Sequence, residues 1–464
     1  MVFSSLVFLC IFLPIVLILN RVLPTVRSRN ILLLISSLIF YAYGEPVYVL
    51  LMIASCLLNY LWARLIAAYQ AKKKLILVLA VIQNLSVLVV FKYTGFLVQS
   101  FNDLTGAGVP VPDIALPIGI SFFTFQAMSY VMDVYRGEVP PQKNVLHVLL
   151  YVSFFPQLIA GPIVKYHDVD KELSDRSISL EETLKGLRRF IAGLGKKVLI
   201  ANYMAAVADT LFAADPSHIN ILGAWLGAIA YMLQIYFDFS AYSDMAIGLG
   251  WMFGFHFKEN FDYPYMATTI KDFWNRWHIS LSGWFKQYLY IPLGGNRKGR
   301  GRTVLNKFIV FLATGIWHGA NVTFLFWGIF HGFFLMLEEY IPFFRKKGGK
   351  VKKAVGHIYA ILVVMIGFVF FRADNMGQGF FWIGQMFSGA HFEMASMQQV
   401  VSLLSPLNIF AFVIAIIGCA PVVQKLKNHK FWNTLSWIVT PILLILCIMN
   451  LAGGTYNPFI YFRF

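Results

Sequence analysis

The sequence predicts an all-α, polytopic membrane protein of roughly eleven or twelve transmembrane helices, with re-entrant and amphipathic segments besides. Three observations carry this expectation. Hydrophobic residues make up 58% of the 464 and charged residues only 13%, about half the share that a soluble surface requires. The apolar residues fall in long runs, and the basic residues collect between alternate runs. The excess apolar surface therefore faces lipid. The same composition excludes a disordered chain, a collagen-like repeat and a disulfide-built secreted domain. Cys10, Cys56, Cys419 and Cys447 lie in apolar runs without C-x-x-C spacing, so neither a zinc site nor a redox motif is indicated.

At about 20 residues per span, or somewhat fewer inside a bundle, the candidate spans follow in order. They are 2–20, 30–43, 46–67, 75–98, 145–163, 187–213, 219–241, 304–317, 320–341, 354–371, 405–423 and 432–450. The weakest are 30–43 and 304–317, which are short. The first run lacks a basic leader and a small-residue cleavage site, so it reads as a retained span. No polar stretch is long enough for a soluble domain, and residues 1–464 are expected to form a single integral membrane domain.

The net charge of +16 comes from 38 Lys and Arg against 22 Asp and Glu. In an apolar chain this marks cytoplasmic loops rather than a nucleic-acid face. Basic clusters lie at Arg21–Arg29, Arg64–Lys74, within 164–197, at Arg297–Arg302, Arg345–Lys353 and Lys425–Lys430. The loops at Gly44–Pro46, 99–113 and 213–218 carry no Lys or Arg. Placing every basic cluster inside puts the N-terminus outside. Arg302 and Arg345 then share the cytoplasmic side, so 304–341 enters the membrane and returns. Two segments are apolar but broken: 114–135 by Pro117 and Gly119, and 154–165 by Pro156, Gly161 and Pro162. Non-helical backbone at membrane depth is tolerated only against protein or a water-filled cavity; both a cavity lining and a kinked helix fit.

Ionisable groups inside a bilayer are functional candidates because they are costly to keep there. His318 lies at the turn of the 304–341 hairpin, in Gly315-Ile316-Trp317-His318-Gly319-Ala320-Asn321. A helix starting near Leu305 carries it about 20 Å deep. His278 follows Trp274 at helical spacing, with Leu281 and Phe285 beyond, and reads as the polar member of an aromatic stripe on an amphipathic helix. His331 projects from a different face than His318, which argues against a metal site on one helix. Asp238 and Asp244 are further deep charges. They could relay protons, orient a histidine or pair with Arg276, and a supporting role is favoured. The basic Gly294-Gly295-Asn296-Arg297-Lys298 turn could hold phosphates or lipid headgroups.

Several of these motifs also carry a resemblance. The run Asp272-Phe273-Trp274-Asn275-Arg276-Trp277-His278-Ile279-Ser280 continues to Tyr290-Ile291-Pro292-Leu293-Gly294-Gly295-Asn296-Arg297-Lys298 and then to Thr314-Gly315-Ile316-Trp317-His318-Gly319. With Leu116-Pro117-Ile118-Gly119, Phe155-Pro156-Gln157 and Asp238-Phe239-Ser240-Ala241-Tyr242-Ser243-Asp244, it resembles the membrane-bound O-acyltransferase family over about residues 116–332. Within that family it resembles the alginate and related bacterial polysaccharide O-acetylation branch. The resemblance implies a ring-like bundle around a central tunnel, with His318 as the essential residue and His278 near it.

The chemistry expected on this basis is acetyl transfer from cytoplasmic acetyl-CoA to a polysaccharide hydroxyl, directly or through an exported acetyltransferase partner, in the cell membrane. An alcohol needs its proton removed as it attacks a thioester, and a positioned imidazole does this. His318 is expected to be the base and His278 to position the donor or stabilise developing charge. Trp317, Asn321, Asp238, Asp244, Trp274 and Arg276 would support the site or line the channel. Arg297, Lys298 and Arg300 would draw the acidic nucleotide of the donor. No metal, no resident cofactor and no nucleic acid is expected. Two alternatives stand beside this: D-alanyl transfer from a carrier protein to teichoic acid, and proton-coupled transport of an envelope precursor through Asp238 and Asp244.

Overall fold

A computed structural model of the chain describes residues 1–159, 161–345, 348–426, 430–454 and 459–460, without the side chains of 345, 423, 426, 430, 432 and 433. Ala160 of the broken 154–165 segment lies outside this set, as do residues 346–347 and 427–429 of the last two basic clusters. Among the described residues every regular element is helical.

Among the described residues seven helices are long and apolar enough to cross a bilayer, or eight if the bent pair Met394–Leu403 and Pro406–Gly418 is one span. The difference from the expected eleven or twelve has local causes. The apolar helix at Phe8–Val22 and the helix Val26–Ala42 are short. The run 145–163 breaks at Phe154 (φ −55°, ψ 112°), because Pro156 opens a new four-residue helix, Phe155–Leu158. Gly299–His318 is 20 residues long, but its first turns are basic and glycine-rich.

The chain divides into two compact units, Met1–Phe190 with Ser243–Lys258, and Ile191–Tyr242 with Glu259–Phe464. In the first, Val26–Ala42, Tyr48–Ala68, Lys73–Leu88, Ile120–Arg136 and Val145–Ser153 pack on one another. Phe155 plugs the centre, its ring 5.5 Å from Phe40 and 5.7 Å from Phe253. The two broken apolar segments meet here. Gly119 has φ +76°, and a Cβ on it would stand 2.9 Å from the Leu158 carbonyl oxygen, so only glycine fits. A small cavity does adjoin the break, lined by Leu150, Tyr151, Phe154, Gln157, Val169 and Phe255 among others.

In the second unit, the 221–242 stretch of the Ile221–Met252 helix shares a core with the helices Val322–Tyr340 and Lys350–Arg372. Gly299–His318 packs along Val322–Tyr340 as the expected hairpin. Lipid offers no hydrophobic drive for this pairing, so close backbone contact through small residues must supply it. Gly315 and Gly328 do so: a Cβ on either would fall 2.5–2.6 Å from a carbonyl oxygen of the opposite helix.

One expectation is corrected in this unit. The 274–285 segment is not a continuous helix. Ile270–Arg276 ends, Trp277 is extended, His278 adopts a left-handed conformation (φ 45°, ψ 54°), and Ile279–Phe285 starts anew. The reason is a competing partner. Asn260 accepts the Ile279 N–H on its carbonyl at 2.9 Å and the Ser280 N–H on its side chain at 3.1 Å, which replaces the helical bonds at the joint. His278 therefore leaves the face that carries Trp274.

Candidate active site

Four sequence-expected residues, His318, Trp317, His278 and Trp274, converge in the second unit. His318 is the last residue of its helix, because Gly319 turns to extended backbone (φ −176°, ψ 162°). Asn321 then caps the return helix, accepting the Thr323 N–H at 3.0 Å. Its side-chain N–H donates to the Asp374 carbonyl at 2.9 Å, so the Asn321 amide shapes the turn. A Cβ at Gly319 would collide with the Phe324 ring, which explains the small residue after the histidine.

His318 is 8% exposed, and its ring sits edge to face with three aromatic side chains: Trp317 at 5.0 Å, Trp327 at 5.1 Å and Phe371 at 5.0 Å. Its walls are aromatic rather than aliphatic, and they come from two helices besides its own. Trp317 also reaches the second histidine, with its ring 6.4 Å from His278. His278 stands edge-on to Phe239 at 4.6 Å, and its Nδ1 lies 3.2 Å from Asn260 Oδ1. Burial pushes its imidazole down, to about 3.

Trp274 meets Trp327 at 5.3 Å and His331 at 5.0 Å, and Trp327 meets His331 at 5.0 Å. Trp327 thus touches both His318 and His331. His331 is fully buried, and neither of its ring nitrogens has a hydrogen-bond partner among the described residues. A Cβ at Gly367 would stand 2.5 Å from its Nε2.

The other expected residues lie apart from the histidines in role. Asp238 is paired with Lys197 at 2.7 Å, both almost wholly buried, and accepts the Ile460 N–H at 2.7 Å. Asp244, in the first unit, takes Arg189 at 2.9 Å. Arg276 pairs with Asp272 at 2.8 Å and Asp262 at 3.5 Å, so neither deep aspartate is its partner. Each of the two aspartates therefore has a basic partner, Lys197 for Asp238 and Arg189 for Asp244.

Gly294 (φ 107°) and Gly295 (φ 56°) form the expected turn, whose carbonyl at Gly295 accepts from Asn306 at 2.9 Å. Arg297, Lys298 and Arg300 follow it, all exposed. Arg300 stacks on Tyr340 at 4.3 Å and donates to the Glu339 carbonyl.

Sequence reasoning missed Asn260, Trp327, Phe371 and Lys197. Lys197 had a visible signal, as the last of four basic residues (Arg188, Arg189, Lys196, Lys197) in the otherwise apolar 187–213 run. Asn260 had none, since it lies 18 residues before its histidine in a polar stretch.

Comparison with known proteins gives the family of the chain. Residues 139–386 match the membrane-bound O-acyltransferase family. The chain is 39% identical to a probable alginate O-acetylase of Pseudomonas putida over the full length of both. It is 34% identical to a peptidoglycan O-acetyltransferase of Helicobacter pylori, across 93% of this chain and 91% of that one. A teichoic acid D-alanyltransferase of Bacillus subtilis is 29% identical across 54% of this chain. The motif around His318 and the one around His278 both fall inside the matched region, and the chain belongs to the membrane-bound O-acyltransferase family.

Proposed function

We propose that this protein transfers an acetyl group from cytoplasmic acetyl-CoA to a hydroxyl of a cell-envelope or exported polysaccharide. The observation that carries the reading is the buried His318 imidazole at the turn of a helical hairpin, boxed by aromatic rings. Full-length similarity to a probable alginate O-acetylase and near-full-length similarity to a peptidoglycan O-acetyltransferase support the acetyl group and the carbohydrate acceptor.

In this reading His318 removes the proton of the acceptor hydroxyl as its oxygen attacks the thioester carbonyl. The carbon–sulfur bond then breaks, and the same proton passes to the leaving thiolate, so the reaction is proton-neutral overall. A base held in place contributes about 10²–10⁴-fold to such a step. Trp317, Trp327 and Phe371 exclude water, which would otherwise compete with the acceptor alcohol. Arg297, Lys298 and Arg300 bind the donor's phosphates at the cytoplasmic face. The acceptor is reached from the opposite side through a tunnel, directly or through an exported acetyltransferase, and the protein resides in the cytoplasmic membrane.

D-alanyl transfer is the second reading, on the weaker and half-length similarity to the D-alanyltransferase. The family match weighs against the transporter. The experiment incubates purified protein in liposomes with labelled acetyl-CoA and polysaccharide. Label on the glycan supports the proposal, and no transfer from acetyl-CoA together with transfer from a D-alanyl carrier protein would replace it.

A further inference from the structure

We infer that Asn260 is a positioning residue that holds His278 in its Nδ1–H tautomer and leaves Nε2 to accept a hydrogen bond from a substrate N–H or O–H. The inference rests on the acyltransferase reading for the substrate, while the tautomer itself follows from geometry.

One atom decides it. The backbone N–H of Ser280 lies 3.1 Å from Asn260 Oδ1. A backbone amide only donates, so the side-chain atom facing it is the amide oxygen and not the nitrogen. That same oxygen lies 3.2 Å from His278 Nδ1. An oxygen of this kind only accepts, so Nδ1 carries the proton. Among the described contacts of Nδ1 the Ser280 hydroxyl competes, at 3.4 Å from Nδ1 against 2.8 Å from Asn260 Oδ1, and the shorter contact takes its proton. A neutral imidazole has one N–H, so Nε2 presents its lone pair.

No described residue uses that lone pair. His278 is 2% exposed, and its Nε2 has no hydrogen-bond partner among the described residues. Leaving a buried acceptor unmade is costly, and so is left-handed backbone at a residue with a Cβ. Both costs fall on one residue, next to the indole that adjoins His318. The groups that face the ring are Phe239, Trp317, Asn260 and Ser280, all uncharged. Burial alone lowers its proton affinity, so the ring is neutral at physiological pH. A neutral Nδ1–H imidazole cannot donate from Nε2. His278 therefore acts by accepting, on an amide of the donor or a hydroxyl of the acceptor.

The test has two parts. In ¹⁵N-histidine solid-state NMR of the full chain in lipid, His278, assigned by comparison with His278→Gln, should show a protonated Nδ1 and a bare Nε2. A protonated Nε2 would overturn the inference whatever the enzyme does. In acetyl-transfer assays Asn260→Leu, which cannot accept, should lose about 10–100-fold at every pH, as losses of orienting partners do. Asn260→Asp keeps the acceptor but adds a charge that favours imidazolium. Its acid limb should move up by about 1–3 pH units, with activity recovered above it. If wild type transfers acetyl and the Asn260→Asp profile superimposes on it, the positioning role is wrong. If wild type transfers none, the acyltransferase reading fails, and the NMR result still stands or falls alone.

Discussion

Gly315 and Gly328 face each other across the hairpin that carries His318, so closely that a Cβ on Gly315 would lie 3.1 Å from the Gly328 Cα. The contact sits one turn before the histidine. It holds the two helices together at the depth where the imidazole, Trp317 and Trp327 must keep their relation.

Gly315→Ala or Gly328→Ala should therefore act on the site through the backbone. Overpacking of this kind costs about 1–3 kcal/mol. Both variants should lower the thermal midpoint in detergent and reduce acetyl transfer by about 10-fold or more. Unchanged activity in both would show that the hairpin spacing does not set the His318 position.

The buried pair of Lys197 and Asp238 gives an asymmetric prediction. Asp238→Asn leaves an ammonium without its counter-ion and should cost about 3–5 kcal/mol. The double variant Lys197→Met, Asp238→Asn should recover most of this, because the charge goes and the acceptor for Ile460 stays. Unfolding in lipid nanodiscs measures both, and equal losses in the single and double variants would contradict the pairing.

Much of this was legible in the sequence, and the remainder shows what one sequence hides. The hairpin followed from loop charge alone, since Arg302 and Arg345 had to share a side, and the W-H-G motif put His318 at its turn. The helix break at His278 was not legible. Its 4-3-4 spacing with Trp274, Leu281 and Phe285 is good helical periodicity, and only a distant asparagine defeats it. Of the expected eleven or twelve spans, seven or eight meet the test of length and apolarity among the described residues. Hydropathy sees the apolar run 145–163, but not that Phe154 and Phe155 bury against Phe40, Phe253 and Phe255 inside a protein core.

In the first unit, His167 donates from Nδ1 to the fully buried Asp133 at 2.9 Å, and this bond raises the histidine above its ordinary range. A raised folded-state value means stability that is fully present below about pH 6.5. It is lost as pH climbs through the raised value. The stability difference between wild type and His167→Gln should shrink as pH rises from about 6.5 through the raised value. Thermal unfolding on the alkaline side of about pH 6.5 checks it, and a difference that grows with pH would contradict the bond.

The central claim is that one imidazole, His318, does the proton transfer. The direct measurement is acetyl transfer from labelled acetyl-CoA to polysaccharide by wild type and His318→Ala, reconstituted at equal amounts and with matching thermal midpoints. The account predicts a loss of about 10²–10⁴-fold or more with the protein still folded and inserted. A His318→Ala protein that transfers acetyl at the wild-type rate would contradict it.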